Sequence, residues 1–137
     1  MSAQFSSVDE LLADARSRLD RIDIDELDAV LAGGARIVDI RPAWLREREG
    51  EISGALVIER NHLEWRLHPG SDARHADAAP GRQWVVVCSE GYTSSLAADA
   101  LNSLGVPARD LVGGFQAWLA SGRPVSTSVT EHDQQVP

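Results

Sequence analysis

The sequence predicts an α/β domain, a parallel sheet with helices on both faces, and three observations carry the prediction. Apolar β-branched runs alternate along the chain with stretches of helical spacing, the order in which strand–helix–strand units are written. The most apolar of those runs, Trp84 to Cys88, has no polar residue at all, as befits a strand covered on both sides. The 137 residues, 43% of them hydrophobic, suffice for one compact core, and no internal repeat or second domain is visible.

Ser7 and Glu10 have the form of a capping box, and Val8, Leu11, Leu12, Ala15 and Leu19 follow at helical spacing. Residues 1–21 are therefore read as an N-terminal helix packing on the domain. Asp23 and Glu26 repeat the capping pattern before a short helix with Leu27, Val30 and Leu31, stopped by Gly33-Gly34. Ala35 to Arg41 reads as a central strand whose carboxyl end carries Asp39 and Arg41 towards a site. Trp44 to Gly50 is charge-rich and reads as a solvated helical turn, Gly54 to Glu59 as a second buried strand, and Asn61 with Glu64 as the cap of a helix through Leu67. His68 to Arg82 is aperiodic and rich in Pro, Gly, Ala, Asp and His, hence a long loop.

The strand Trp84 to Cys88 follows, then a helix from Ser94 to Leu104 with Gly105 as its C-cap, and a short strand from Asp110 to Val112. Gly113-Gly114 opens a last helix through Trp118, and Gly122 and Pro124 end it. The main domain is thus 22–124, with 125–137 expected to be a polar, disordered tail.

A net charge of −8 and a pI near 4.8 mean that phosphate backbones and anionic lipid surfaces repel the molecule. Nucleic acid and membrane are not expected partners. Met1 to Val8 holds no basic stretch or apolar core, and no later run approaches the length of a membrane span, so a cytoplasmic location is expected. Trp44, Trp65, Trp84 and Trp118 are read as core side chains, not pocket lining. His62, His68 and His75 are spaced by six and seven residues, which fits no ordinary metal pattern, so no metal and no cofactor are expected.

The single cysteine, Cys88, excludes an intramolecular disulfide and any CxxC motif. It ends a buried strand, Gly91 follows three residues later, and a helix begins at about Thr93. At such a strand-to-helix turn, backbone N–H groups and the helix N-terminus together form a positive cavity that stabilises a thiolate or an anion. A free cysteine at the end of an apolar strand can equally be a small hydrophobe. Gly91, which permits a tight loop, and the polar string Ser89, Glu90, Tyr92, Thr93 and Ser94 favour a built pocket.

Three segments now carry a resemblance. Asp39-Ile40-Arg41 followed by Gly50-Glu51-Ile52-Ser53-Gly54-Ala55 resembles the N-terminal signature of the rhodanese family, and Cys88-Ser89-Glu90-Gly91-Tyr92-Thr93 resembles its six-residue active-site loop. Leu111-Val112-Gly113-Gly114-Phe115-Gln116-Ala117-Trp118 resembles the C-terminal signature. The match runs from about Ile22 to Pro124. It implies a five-stranded parallel sheet with helices on both faces. It also implies a sulfurtransferase in which Cys88 takes sulfane sulfur from a small donor, thiosulfate or a persulfide, and passes it to a small or protein acceptor. The loop amides from Ser89 to Ser94 would wrap the persulfide, and the ordinary activity of such a chain is that of a thiosulfate sulfurtransferase.

The sequence departs from the family in two ways. Glu51 stands where the family usually has histidine, and is read as surface variation. The loop holds no Arg or Lys and does hold Glu90, whose charge disfavours a dianionic donor. Any cation must come from outside the loop, and Arg41, Arg60 and Arg66 are the nearest by topology. A phosphatase of related fold needs an arginine at the end of this loop to clamp the phosphoryl group, and Ser94 stands there instead. A Cys–His hydrolase is weaker still, since no histidine neighbours Cys88 in sequence and no GxSxG motif is present. The stronger alternative is a non-enzymatic binding or regulatory module, or a sulfur carrier for one protein partner.

Overall fold

The computed structural model describes residues 2–127. Its sheet has four parallel strands in the order β3-β1-β4-β5: β1 is Arg36–Asp39, β3 Leu56–Val57, β4 Trp84–Val87 and β5 Ala108–Asp110. β2, Glu51–Ile52, lies outside this sheet and pairs antiparallel with β6, Val125–Ser126. The helices are α1 Val8–Arg16, α2 Leu27–Ala32, α3 Ala43–Glu49, α4 Leu63–Leu67, α5 Thr93–Ser103 and α6 Gly114–Ala120.

Alternation along the buried strands divides the core in two. Val38, Ile40, Trp84, Val86 and Cys88 point to one face and pack with Leu63, Leu67, Ala97, Ala98 and Leu101 of α4 and α5. Ile37, Val85 and Val87 point to the other and pack with Leu27 of α2 and Phe115 and Trp118 of α6. Helices therefore cover both faces, as the apolar runs required. The chain order reverses at β1, which has β3 on one side and β4 on the other, so a crevice opens beyond their carboxyl ends.

Several expectations are corrected. The resemblance implied five strands, and the sheet has four; beyond β5 there is one isolated parallel bridge, Ile22 to Leu111. Only Ile22 is apolar between Asp20 and Asp23, and the Asp23 N–H already donates to Glu26 in the next cap, so pairing stops after one residue. The strand expected over Gly54 to Glu59 shortens to Leu56–Val57, and the one expected over Asp110 to Val112 ends at Asp110, with Leu111 and Val112 turning into α6. Val125 and Ser126 form β6 instead of beginning a tail; the remainder of that expectation, 128–137, lies outside the described residues.

The segment from Trp44 to Gly50 is helical but not simply solvated. Arg46 is buried and pairs at 2.6 Å with Glu51, so Glu51 is an interior ion-pair partner and not a surface variation. Asn61 sits inside a 3-10 turn and caps nothing. Of the four tryptophans Trp84 and Trp118 are core, while Trp44 and Trp65 are exposed. No helix among the described residues is long and apolar enough to cross a membrane.

Candidate active site

β4 ends at Val87, and the next residue, Cys88, continues the alternation that points Trp84 and Val86 to the α5 face. Its Sγ accepts the Gly91 N–H at 3.1 Å and the Ser94 N–H at 3.4 Å. Ser94 lies in the first turn of α5, eleven residues long, so the positive end of the helix dipole faces the sulfur. The neighbouring carbonyls turn the other way. Cys88 O accepts from Phe115 N at 2.8 Å and Ser89 O from Gln116 N at 3.1 Å, both in α6. Gly91 O accepts from Arg16 Nη2 at 2.8 Å and Arg21 Nη2 at 2.9 Å. A loop that sends N–H groups inward and commits its carbonyls outside stabilises negative charge on the enclosed atom.

Two glycines make this packing possible. Gly91 has φ +90°, and a Cβ there would stand 2.8 Å from Gly113 N. Gly114 has φ +55°, and a Cβ there would stand 2.4 Å from Cys88 O. Loop and α6 thus meet backbone to backbone, which is why a glycine three residues after the cysteine and a Gly-Gly pair before α6 belong to one arrangement.

Two carboxylates fasten the side chains. Asp110, fully buried, accepts from Ser94 Oγ and Ser95 Oγ, each at 2.8 Å, and pairs with Arg21 at 3.0 Å. Glu49 accepts from Ser89 Oγ at 2.7 Å, Gln116 Nε2 at 2.9 Å and Arg41 Nη1 at 3.1 Å. Arg41 is 1% exposed, is also paired with Asp39 at 2.7 Å and donates to Gly50 O at 2.9 Å. Burial opposes its charge, but Asp39 and Glu49 outweigh burial and hold the guanidinium above its ordinary value.

Cys88, only 4% exposed, forms part of the wall of a cavity of about 360 Å³ at the crevice between β1 and β4. Ser89, Glu90, Tyr92, Thr93, Arg41 and Arg60 line it too, with Ile40, Pro42 and Leu45 as apolar walls. Gly91 and Ser94 contribute their amides, and Asp39 stands behind Arg41. Arg60 is tied to Glu64 at 2.7 Å. Arg66 is elsewhere: buried in α4, it donates to Ala73 O in the long loop, because α4 turns that side chain towards residues 73–75 and away from the crevice.

Sequence reasoning missed Arg16, Arg21, Glu49 and Asp110. Asp110 immediately precedes the Leu111-Val112-Gly113-Gly114 segment and could have been found there. Arg16 and Arg21 reach Gly91 across 75 and 70 residues of chain, and no local pattern announces them. No group of three His, Cys, Asp or Glu side chains among the described residues is arranged to hold a metal.

The family model described as "Rhodanese-like domain" matches residues 23–121. A solved protein of unknown function from Rhodopseudomonas palustris CGA009, described as a possible tyrosine phosphatase, is 28% identical with a TM-score of 0.79, over 91% of this chain and 98% of that one. A thiosulfate sulfurtransferase from Pseudomonas aeruginosa is 27% identical with a TM-score of 0.63, over 82% of this chain but 20% of its own length. A rhodanese-related protein from Thermoplasma volcanium, 23% identical with a TM-score of 0.64 over 79% of this chain and 98% of that one, shares the fold. Comparison with curated proteins gives no match.

Proposed function

This chain belongs to the rhodanese-like domain family, and on that premise we propose that it is a sulfurtransferase carrying sulfane sulfur on Cys88. The Cys88 thiolate attacks the sulfane sulfur of a donor, the bond joining that sulfur to the rest of the donor breaks, and its electron pair leaves with the donor residue. A thiophilic acceptor then attacks the outer sulfur, and the electron pair of the Cys88 S–S bond returns to Sγ. The observation that carries the reading is the pair of N–H groups from Gly91 and Ser94 aimed at Sγ while the adjoining carbonyls bond outside the loop. The same amides suit the terminal sulfur of a persulfide, which is also anionic. A reducing compartment such as the cytoplasm keeps a lone thiol available for this chemistry.

The test is the intact mass of reduced protein after treatment with a sulfane donor. One added sulfur is expected in the wild type, and none in Cys88→Ser, which also forms no thiocyanate from cyanide. Absence of any label on the wild type with every donor would leave a binding module. Label without turnover would make the chain a sulfur carrier.

The likeness to a protein described as a possible tyrosine phosphatase raises a second reading. A phosphatase loop needs a cation at its end to hold the phosphoryl oxygens in bidentate fashion. Here that position is Ser94, whose hydroxyl is given to Asp110 at 2.8 Å. Hydrolysis of an aryl phosphate at a rate that Cys88→Ser abolishes would restore the phosphatase reading.

A further inference from the structure

We infer that the donor is an organic persulfide on an uncharged or cationic carrier and not the thiosulfate dianion; the inference rests on Cys88 being the sulfur-carrying residue. A dianion entering the cavity needs net positive charge on its wall, because its desolvation is otherwise uncompensated. Arg41 brings none: the carboxylates of Asp39 and Glu49 outnumber its single charge, four of its five guanidinium N–H groups go to them and to Gly50 O, and it is buried. The charge of Arg60 is offset by Glu64, to which its Nη1 donates at 2.7 Å. Arg16 and Arg21 reach the loop by the Gly91 carbonyl, and Arg21 is further neutralised by Asp110. The Ser89 hydroxyl is given to Glu49. Glu90, exposed and on the cavity wall, adds a negative charge that no ion pair among the described residues offsets, within a chain of net charge −8.

The remaining surface is apolar, from Ile40, Pro42 and Leu45, with the exposed Tyr92 ring beside it. Such a surface accommodates the carbon chain of a thiol. The reaction balances without another reagent: Cys88–S⁻ and R–S–SH give Cys88–S–SH and R–S⁻. The new bond joins Sγ to the outer sulfur, the R–S–S bond breaks, and its electron pair leaves on the carrier thiolate. No sulfite dianion has to be released past Glu90.

The experiment separates carrier charge from leaving-group reactivity, which differs between the carriers whatever the protein, by measuring every donor on the wild type and on Glu90→Lys. Reduced protein is mixed with cysteamine persulfide, whose carrier is cationic, with 3-mercaptopropionate persulfide, whose carrier is anionic, and with thiosulfate, and the rate of sulfur addition to Cys88 is followed by mass. The cationic carrier is expected to react at least tenfold faster than the anionic one, and thiosulfate slowest of the three. Glu90→Lys is expected to raise the thiosulfate rate severalfold and to shrink the preference between the two persulfides. Equal rates for the two carriers, a ratio between them that Glu90→Lys leaves unchanged, or thiosulfate matching the cationic persulfide, overturn the inference while leaving the Cys88 persulfide intact. Failure of all three donors to label Cys88 overturns the sulfur-transfer reading itself, and this inference with it.

Discussion

Around Cys88, main chain packs on main chain, and single hydrogen atoms decide what fits. The carbonyl oxygen of Cys88 accepts from Phe115 N at 2.8 Å, and a methyl group on Gly114 would stand 2.4 Å from that same oxygen. Gly114→Ala must therefore either push the carbonyl away or open α6, and both move the loop that presents amides to Sγ. Destabilisation of about 1–3 kcal/mol is expected from the strained backbone alone, with a slower rate of sulfur addition to Cys88. Gly105→Ala is the comparison, since Gly105 also has a positive φ, +77°, but has open space where its Cβ would go. Denaturant melts and labelling rates of the two variants distinguish strain from collision: equal labelling would mean that close contact with α6 contributes nothing to the sulfur site.

The N-terminal helix shows how an element can be legible while its role is not. Ser7, Val8 and the apolar spacing announce α1, and Ser7 Oγ does accept the Glu10 N–H, although the Glu10 carboxylate turns back to Ser6 instead of Ser7. Nothing in that pattern says that Arg16, at the end of α1, holds the Gly91 carbonyl, nor that Arg18 just beyond it grips Asp99 of α5 at 2.7 Å. The Arg18 hydrogen bonds keep the Asp99 carboxyl below its ordinary 3.8. A carboxylate lowered in the folded state contributes stability that is fully present above 3.8 and is lost as pH falls through its folded value. Hydrogen-exchange protection of the α1 amides, taken relative to their intrinsic exchange at each pH, should accordingly hold down to about pH 4 and fall below it. Asp99→Asn should exchange faster at neutral pH and show a weaker dependence in that acid range. The same acid response in both proteins would assign it to other carboxylates and remove Asp99 from the clasp between α1 and α5.

On the scale of the whole molecule, what could be read from sequence is what contiguous residues encode. Trp84 to Cys88 and the six residues from Cys88 carry strand, turn and sulfur in one stretch, and the sheet's alternation follows from the same run. Pairings between distant segments were invisible: Glu51 looks like a surface residue until Arg46 is folded beneath it, and β2 and β6, two residues each, are too short for any periodicity to register. That β2–β6 pair closes the domain on the face opposite to Cys88, where Val125 packs with the cluster containing Ile52 and Phe115. Val125→Asp would set a charge into that cluster, costing about 1–2 kcal/mol and lowering Tm by a few degrees. Because the sheet separates Val125 from Cys88, the rate of sulfur addition should stay within about twofold of wild type, as expected for sites without shared partners. One route could couple them: Gly50, on which Val125 lies, gives its carbonyl to Arg41, whose guanidinium stacks 4.1 Å from the Phe115 ring centre and lines the cavity. A labelling rate that falls together with Tm would show that route to be in use and would make the β2–β6 pair a support of the site, whereas a fall in Tm alone leaves it a closure of the core.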